Sequence, residues 1–475
     1  MDERFDLTAA GEHLSQQGYV ILEDLLEPDL LEQLRTGLDE LFAREREAPY
    51  DPGDGPGAPE DAVTEAYLDG SYAITGAELA RMMRRIRHTR AKNFDTPWPV
   101  EPQKLNKTFI HIPNLFDHDR SGLEAFFQDA GHKPFRARQV MKWLYHRSLL
   151  DPQGMTDLSR ELRGWLGETA SFSLPEIVTR RQSPDGTVKW VVRVANGNCV
   201  EAVLIPDRGR NTLCVSSQVG CMLDCSFCAT GKQGFNGNLS TADIVGQVWL
   251  ANEELRERGE SVSNVVFMGM GEPLLNFEAV VRAANLMMDD LAFGISKRRV
   301  TISTAGVAPA IHALAGCSDV SLAVSLHAPN DALRNELVPL NRKYPIAELL
   351  AACNRYVRGL GERRVLTMEY TLLKGVNDGV RHARELAELL RPVRCKINLI
   401  PFNPFPASGY ERPDDASVRT FQKTLMDAGL AAMLRATRGD DIDAACGQLT
   451  GRVADRTRRQ SRYLARISAA QGTAA

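Results

Sequence analysis

The chain has 475 residues and a formal net charge of −4, with 43% hydrophobic and 25% charged residues. This length predicts two or three domains, and this composition excludes a disordered chain and gives no overall basic signal for nucleic acid. No apolar run approaches the roughly 18 residues of a membrane span, so none is expected. The polar, acidic N-terminus is unlike a signal peptide, and we therefore expect a cytoplasmic protein.

Residues 1–112 differ in character from the rest of the chain. Residues 18–45 indicate a short strand followed by an amphipathic helix, and a Pro/Gly/Asp-rich loop or linker follows at 48–62. The opening strand and helix resemble the start of phytanoyl-CoA dioxygenase-like oxygenases, but no His-x-Asp pair is present to begin a facial iron triad. We interpret residues 1–112 as an extension and assign them no function.

Residues 113–186 are predicted to form a helical accessory module, with helical patterns at 121–131, 136–149 and 157–170. Two basic clusters stand out along the chain, one in this module and one in the C-terminal tail. They consist of Lys133, Arg136, Arg138, Lys142 and Arg147, with Trp143 and Tyr145 interleaved, and of Arg452, Arg456, Arg458, Arg459, Arg462 and Arg466. Such clusters can neutralise phosphates, although a solvated helix face is the more common explanation.

Residues 187–435 carry the pattern of a strand-rich domain, and 436–475 form a C-terminal segment. Residues 187–205 alternate as paired strands do. Six β-branched runs then follow at 212–217, 264–269, 298–304, 320–326, 364–372 and 396–402, and amphipathic helical patterns separate most of them. Strands that alternate with helices predict a parallel sheet, either open and doubly wound or closed into a barrel.

The loop CMLDCSFC contains three closely spaced cysteines, Cys221, Cys225 and Cys228. Three thiolates at this spacing are expected to converge on one metal ion or cluster. A zinc site usually adds a fourth Cys or His nearby, and none follows here. Three ligands leave one iron of a [4Fe–4S] cluster open, as the binding of S-adenosylmethionine requires, and Phe227 stands before the last cysteine as in radical S-adenosylmethionine enzymes. Structural zinc is the alternative.

Polar residues follow the predicted strands at the ends that a parallel β/α barrel gathers on one rim. They are Gly271 and Glu272 in a GEP element, Ser303, the run Ser325, Leu326 and His327, and Asn403. Hydroxyl, amide and backbone groups of this kind are suited to the ribose and adenine of S-adenosylmethionine. Taken singly, each is more often a capping or turn residue.

Two further cysteines lie near this predicted rim. Cys214 is in the first parallel strand, and Cys446 lies in a Gly- and Asp-rich stretch that indicates a loop. Each alone is most simply a buried small side chain. Two thiols that bind no iron beside a radical site would instead indicate covalent catalysis.

Six segments carry a specific resemblance to a known family. They are GHKPFRARQVMKWLYHR, TLCVSSQVGCMLDCSFCATGKQGFNGNLS, MGMGEPLLN, SLHAPND, INLIPFNPFP and RGDDIDAACGQLTGRVADRTRR. From about residue 113 to 466 the chain resembles the RlmN family, the dual-specificity 23S rRNA and tRNA adenine-C2 methyltransferases. The resemblance implies a partial (β/α)6 radical S-adenosylmethionine barrel, with the helical module and the extension before it.

The resemblance also implies a role for each matching position. Cys221, Cys225 and Cys228 would hold the [4Fe–4S] cluster. The residues that would bind S-adenosylmethionine are Gly271, Glu272, Ser303, Ser325, Leu326, His327 and Asn403. Cys446 matches the methyl-carrying cysteine, Cys214 the resolving cysteine, and Glu201 a proposed proton acceptor.

The implied reaction uses two S-adenosylmethionine molecules per turnover. One methylates Cys446; the other is cleaved to a radical that removes hydrogen from the S-methyl group, whose carbon then adds to C2 of adenine. Cys214 releases the product by forming a disulfide with Cys446. We expect a thiol reductant, an electron donor such as flavodoxin, rRNA and tRNA as substrates, and a monomer. The alternatives are the related C8 adenine methyltransferase of the antibiotic-resistance type, which has the same cysteines, and a zinc-stabilised RNA-binding protein.

Overall fold

The computed structural model describes residues 112–207, 209–405, 408–445 and 447–449. The chain divides after Pro113, and every element below belongs to the second unit, Asn114–Ala475. The strand and helix predicted at 18–45, the arginine-rich tail and Cys446 lie outside the described residues. No helix in the part that the structure describes is long and apolar enough to cross a membrane.

Three short helices open the described chain, as their apolar periodicity predicts. They are α1 (Arg120–Asp129), α2 (Phe135–Met141), continued by a π-helical turn over Lys142–His146, and α3 (Arg160–Thr169). Asp119 caps α1 by accepting from Gly122 N, and Ser159 caps α3 by accepting from Leu162 N. The apolar faces of these helices pack together around side chains such as Phe127.

Twelve strands follow in the described residues. They are β1 (Glu176–Gln182), β2 (Val188–Arg193), β3 (Cys199–Asp207), β4 (Arg210–Cys214), β5 (Gln218–Gly220), β6 (Phe235–Asn238), β7 (Asn264–Phe267), β8 (Val300–Thr304), β9 (Ser321–Ser325), β10 (Leu366–Leu372), β11 (Cys395–Pro401) and β12 (Ala432–Leu434). Ten of them form one sheet in the order β1-β2-β3-β4-β7-β8-β9-β10-β11-β12. The strands from β1 to β4 pair antiparallel and those from β4 onward pair parallel.

Helices connect the parallel strands. They are α4 (Ala229–Gln233), α5 (Thr241–Arg256), α6 (Phe277–Met288), α7 (Ala308–Leu314), α8 (Asp331–Leu337), α9 (Ile346–Gly359), α10 (Val380–Leu390) and α11 (Asp415–Asp427). The predicted N-cap of α5 is confirmed, because Ser240 and Asp243 form a reciprocal capping box. A helix follows each of β4, β7, β8, β9, β10 and β11 before the next strand of the large sheet, so the predicted six-fold β/α alternation is confirmed.

The two faces of the parallel sheet differ in polarity. On β10, Tyr370 packs against Phe421 of α11, with ring centroids 5.3 Å apart, in the apolar layer between sheet and helices. Glu369 alternates to the other face, where its Oε1 accepts from Asn398 of β11 at 2.9 Å. The sheet therefore has an apolar helix-covered face and a polar inner face.

The sheet curves around this polar face. Arg435, just after β12, donates to Sδ of Met268, just after β7, at 3.6 Å, although four strands separate β7 from β12 in the sheet order. Antiparallel β1 remains at the opposite edge. The predicted partial barrel is confirmed, while β1, β12 and the β5–β6 hairpin were not predicted.

Candidate active site

The three cysteines lie in a loop held by the β5–β6 hairpin. Strand β5 ends at Gly220, directly before Cys221, and Cys221 N donates to Gly234 O at 2.9 Å at the start of β6. Gly220 has φ +73°, and a Cβ there would lie 1.8 Å from Gly234 O, so only glycine fits. The hairpin thus fixes both ends of the segment that carries Cys225 and Cys228.

The cysteine loop packs against the carboxyl ends of the parallel strands. Phe227 and His327, which follows β9, contact each other edge to face with ring centroids 4.7 Å apart. Ser226 N donates to Leu337 O at 3.2 Å, and Tyr410 Oη donates to Ser226 Oγ at 2.9 Å. The loop and the polar strand ends, predicted separately from the sequence, therefore share one rim.

The donor set of the loop fits an iron–sulfur cluster. Burial raises the pKa of the Cys225 thiol well above its ordinary value, and the neighbouring Cys228, Cys221 and Glu272 raise it further. Cys228 N donates to Cys225 O at 3.2 Å, so a tight turn brings these two cysteines together, and iron would have to displace the thiol protons. No three Cys, His, Asp or Glu side chains of the described residues are grouped as ligands of one metal ion. A cluster does not require such a group, because each thiolate binds a different iron.

The GEP element after β7 is fixed by contacts on both sides. Gly271 has φ +101°, and a Cβ there would lie 2.5 Å from Cβ of Gln218, so a side chain is excluded. Glu272 N donates to Gln218 Oε1 at 2.8 Å, while its carboxylate accepts from Leu274 N at 3.1 Å and from Ala305 N at 2.7 Å. Burial raises the pKa of Glu272, and these backbone donors oppose the rise. The carboxylate thus joins the ends of β7 and β8.

His327 is held as a neutral imidazole. Burial lowers its pKa to about 3, and Nδ1 accepts from Thr371 N at 3.0 Å, which leaves the proton on Nε2. Its backbone has φ +58°, which is uncommon for a residue with a side chain. Leu326 N and His327 N both donate to Glu369 O, at 3.0 and 3.3 Å, so β10 holds this turn in place.

The other polar residues predicted at the rim lie at neighbouring strand ends. Ser303 of β8 is in register with Ala323 of β9, and Ser325 ends β9. Asn403 follows β11, and its Oδ1 accepts from Thr437 Oγ1 at 3.1 Å. The predicted side chains are therefore distributed around the rim from β7 to β11.

A buried ion pair lies on the antiparallel side of the site. Lys189 Nζ is 3.3 Å from Oε1 of Glu201, and both side chains are 7% exposed. Lys189 of β2 and Cys214 of β4 both pair with Val203 of β3, so these side chains share one face of the sheet. Glu201, two residues before Val203, lies on that face too.

The segment that carries Cys446 reaches both parts of the site. Lys189 Nζ donates to Asp443 O at 3.1 Å, and Ala229 N, next to Cys228, donates to Gly447 O at 2.8 Å. Thr230 Oγ1 donates to Leu449 O at 2.7 Å. Cys446 itself lies outside the described residues, but its flanks are joined to the cysteine loop and to the Lys189–Glu201 pair.

Comparison with known proteins identifies the family. A model of the ribosomal RNA large subunit methyltransferase N-terminal domain matches residues 113–172, and the model of the radical SAM superfamily matches 215–390. The chain is 59% identical over 356 residues to the dual-specificity RNA methyltransferase RlmN of Pseudomonas fluorescens, covering 74% of this chain and 93% of that protein. It is also 59% identical to the Marinobacter nauticus RlmN over 355 residues, 74% of this chain and 96% of the relative. The chain belongs to the RlmN family.

A solved structure agrees with this membership. A radical SAM methyltransferase from Sphaerobacter thermophilus is 44% identical, with a TM-score of 0.67 over 71% of this chain and 99% of that one. The expected radical SAM methyltransferase fold is therefore confirmed, as are the S-adenosylmethionine dependence and the [4Fe–4S] cluster that RlmN membership implies. The matches favour the RlmN prediction over the C8-methylating alternative.

The RlmN site also contains residues that the sequence did not reveal. Lys189 has the pattern of an ordinary strand lysine, although it alternates onto the same face as Glu201. Arg334 of α8 is fully buried beneath the rim. Trp143 and Tyr145, read as interleaved in a basic surface, are instead buried in the core, whereas Lys142, directly before Trp143, is exposed.

Proposed function

We propose that this RlmN-family enzyme methylates C2 of adenine in 23S rRNA and in tRNA through a methyl group carried on Cys446. The observation that best supports the role of Cys446 is a pair of hydrogen bonds: Ala229 N donates to Gly447 O, and Thr230 Oγ1 donates to Leu449 O. They tie the flank of Cys446 to the residues directly after Cys228. A methyl carrier needs this proximity, because its carbon must be reached by the radical formed at the cofactor site.

The cofactors would be held by the rim residues. Cys221, Cys225 and Cys228 would bind the [4Fe–4S] cluster, and the S-adenosylmethionine site would consist of Gly271, Glu272, Ser303, Ser325, Leu326, His327 and Asn403. When bound, the cluster supplies the electron that cleaves S-adenosylmethionine to the 5′-deoxyadenosyl radical, which takes hydrogen from the methylated cysteine. The hairpin and the buried rim would keep water from this chemistry.

Cys446 and Cys214 divide the thiol chemistry between them. The Cys446 thiolate attacks the methyl carbon of one S-adenosylmethionine, and S-adenosylhomocysteine leaves. After the carbon has joined C2 of adenine, the adduct radical would return one electron to the oxidised cluster and lose its C2 proton to a base, which leaves a thioether whose Cys446 sulfur the Cys214 thiolate attacks. The sulfur–carbon bond breaks, its electrons remain on carbon, which takes up a proton to become the methyl group, and a disulfide forms between Cys214 and Cys446. This step requires Cα atoms roughly 4.4–6.8 Å apart and a thiol reductant to restore both thiols.

Glu201 is the candidate acceptor of the C2 proton. Its carboxylate lies on the same face as Cys214, and its partner Lys189 also holds Asp443, three residues before Cys446. A base at this point would lie on the face that carries Cys214 and beside the segment that leads to Cys446. Lys189 would hold the carboxylate in a fixed orientation.

RNA would approach over the accessory module and the C-terminal tail. Lys133, Arg138, Lys142 and Arg147 are exposed, while Arg147 stacks on the ring of Trp143 at 4.1 Å and so covers that aromatic face. These exposed basic side chains are suited to contact the RNA phosphates. The target adenine would leave its base stack and enter the open end of the barrel. Such substrates place the enzyme in the cytoplasm. A flavodoxin-like electron donor and a monomeric state complete the proposal.

We propose four parts for the chain. They are an extension of unassigned function (1–112), the accessory module (113–186), the barrel with its leading strands (187–435) and the segment with Cys446 and the basic tail (436–475). Strand β1 lies before the boundary at residue 186 and pairs with β2, which lies after it. The β1–β2 pair therefore belongs partly to the accessory module and partly to the barrel domain.

The test is the identity of the modified nucleoside. 23S rRNA and tRNA from cells lacking the gene are incubated with reconstituted enzyme, digested and examined by mass spectrometry. We expect 2-methyladenosine with the wild type and none with Cys446→Ala, while Cys317→Ala, which alters an exposed cysteine, remains active. Production of 8-methyladenosine would support the C8 alternative. A colourless protein with zinc and no iron or sulfide would overturn the enzyme assignment.

A further inference from the structure

Arg334 is a fully buried cation directly beneath the predicted cofactor rim. Its guanidinium uses both ends of its planar fork: Nε donates to Leu326 O at 3.0 Å, and Nη1 donates to Asn341 Oδ1 at 2.8 Å. Nη2 donates to Ala305 O at 2.6 Å and to Ser325 O at 3.0 Å. These four acceptors are three backbone carbonyls and one amide.

These contacts connect three strand ends. Ala305 follows β8, and its N–H donates to the carboxylate of Glu272 after β7, while its carbonyl accepts from Arg334. The same guanidinium holds the carbonyls of Ser325 and Leu326 at the end of β9. One side chain therefore sets the relative positions of Glu272, Ser325 and Leu326, which were predicted independently as S-adenosylmethionine contacts.

No carboxylate among the described residues is hydrogen-bonded to Arg334. All four of its hydrogen-bond acceptors in the described residues are neutral, and taking a cation out of water costs several kcal/mol unless an anion compensates. The carboxylate of nearby Asp331 is already engaged by Asn341 Nδ2 and Ile346 N. Burial lowers the pKa of Arg334 to about 10, so it is charged at neutral pH, and the group that most opposes this fall is Cys225. Leu337 O, one turn further along α8, accepts from Ser226 N next to Cys225 at 3.2 Å, so the helix that carries this cation packs against the cysteine loop.

We propose that Arg334 is a positioning residue of the cofactor site and the fixed counter-charge of its cysteine loop. It holds the strand-end carbonyls so that Glu272, Ser325 and Leu326 meet S-adenosylmethionine, and its charge stabilises the anionic cluster that three thiolates form. The proposal rests on the function proposed above and adds a residue that touches neither substrate nor cofactor.

Two substitutions separate position from charge. Arg334→Lys keeps the positive charge but cannot reproduce the fork that reaches four acceptors. Arg334→Gln removes the charge and retains an amide that can satisfy one or two carbonyls. Arg364 provides the matched control, because it is also buried and also donates to a backbone carbonyl, Asp319 O, at 2.8 Å. It lies at the opposite ends of the strands, away from the predicted cofactor rim.

The measurements are thermal unfolding of the metal-free proteins, and, after reconstitution, iron content, the midpoint potential by redox titration and S-adenosylmethionine affinity by equilibrium dialysis. We expect the Lys and Gln variants at both arginines to lower the unfolding temperature. Only those at Arg334 should weaken S-adenosylmethionine binding, on the order of tenfold, or about 1.4 kcal/mol. Only Arg334→Gln should shift the potential to more negative values, because the reduced cluster carries one more negative charge.

The proposal is overturned if folded, iron-loaded Arg334 variants bind S-adenosylmethionine and titrate like the wild type, or if the Arg364 variants change both as much. Should Arg334→Gln fail to fold, Arg334→Lys against Arg364→Lys still decides the positioning role through binding. A wild type that takes up no cluster contradicts the proposed function instead, so the two failures are distinguishable.

Discussion

Replacing Lys189 by Met tests the buried ion pair beside the proposed thiol site. The Lys189 and Glu201 side chains are both 7% exposed and their charged atoms are 3.3 Å apart. Removing one partner of such a pair leaves a buried charge unpaired and costs about 3–5 kcal/mol. Loss of the bond to Asp443 O accounts for roughly 1 kcal/mol of this total.

The loss of stability in Lys189→Met arises mainly from the Glu201 carboxylate that is left buried without a partner, so it should depend on Glu201. In the double variant Lys189→Met/Glu201→Gln no charge remains, and the loss should shrink to about 1–2 kcal/mol. The double variant should therefore be about 2–3 kcal/mol more stable than Lys189→Met alone. Lys374→Met is the control, because Lys374 and its partner Glu411 are 55% and 74% exposed and such pairs contribute about 0–1 kcal/mol.

The assay is urea unfolding of the metal-free proteins, followed by circular dichroism, so that cluster loss does not contribute. The urea midpoints report stability if the slope of the unfolding free energy against urea concentration is the same in each protein. A Lys189→Met loss within 1 kcal/mol of the control would refute the reasoning. So would a double variant that is less stable than Lys189→Met alone, since the pair would then not be the source of the cost.

The remaining predictions concern a histidine, a glycine and a thiol. Because the pKa of His327 is lowered from 6.5 to about 3, the unfolded chain binds a proton in that window that the folded chain does not. The neutral His327 imidazole therefore contributes fully to the free energy of unfolding above pH 6.5, and this contribution decreases by at most about 4–5 kcal/mol as the pH falls toward 3. Urea unfolding of metal-free His327→Asn at a series of pH values should lack this decrease. A variant whose stability depends on pH as that of the wild type does would contradict the prediction. Gly271→Ala should destabilise by about 2–4 kcal/mol in the same assay, against about 1 kcal/mol for Gly197→Ala, whose φ is also positive but whose surroundings are open. Equal losses would show that the close approach to Gln218 is unimportant. Cys214→Ser should allow RNA attachment but not release, visible as a protein–RNA band on a denaturing gel, whereas Cys199→Ser, also on the sheet and buried, should turn over normally; free product from Cys214→Ser would exclude its resolving role.

The parallel strands were predictable because their physical signal is local. Runs such as 320–326 are β-branched, bury one face under helices and end in polar residues, so both the strand and its functional end are visible in the sequence. The β5–β6 hairpin has no such signal, since its strands are short, and Gly220 and Gly237 have positive φ. Its structure depends on the close approach of Gly220 and Gly234.

The charged residues of the site were less predictable than its cysteines. Arg334 lies one turn after the helix N-cap Asn330, a position that ordinarily faces water. It is buried because carbonyls from the ends of β8 and β9 converge on it, and no local pattern encodes that convergence. Lys189 is similar: its burial follows from a partner on the next strand and from Asp443, far away in the sequence. Long-range polar contacts of this kind require the folded chain.

The most direct test of the account is the isotopic composition of the transferred methyl group. With S-adenosylmethionine carrying three deuteriums on its methyl carbon, the proposed route removes one deuterium at the Cys446 S-methyl stage and later replaces it with a proton. We predict that the modified adenosine carries two of the three deuteriums and that 5′-deoxyadenosine carries the third. A product methyl group that retains all three would contradict transfer through Cys446 and indicate direct displacement.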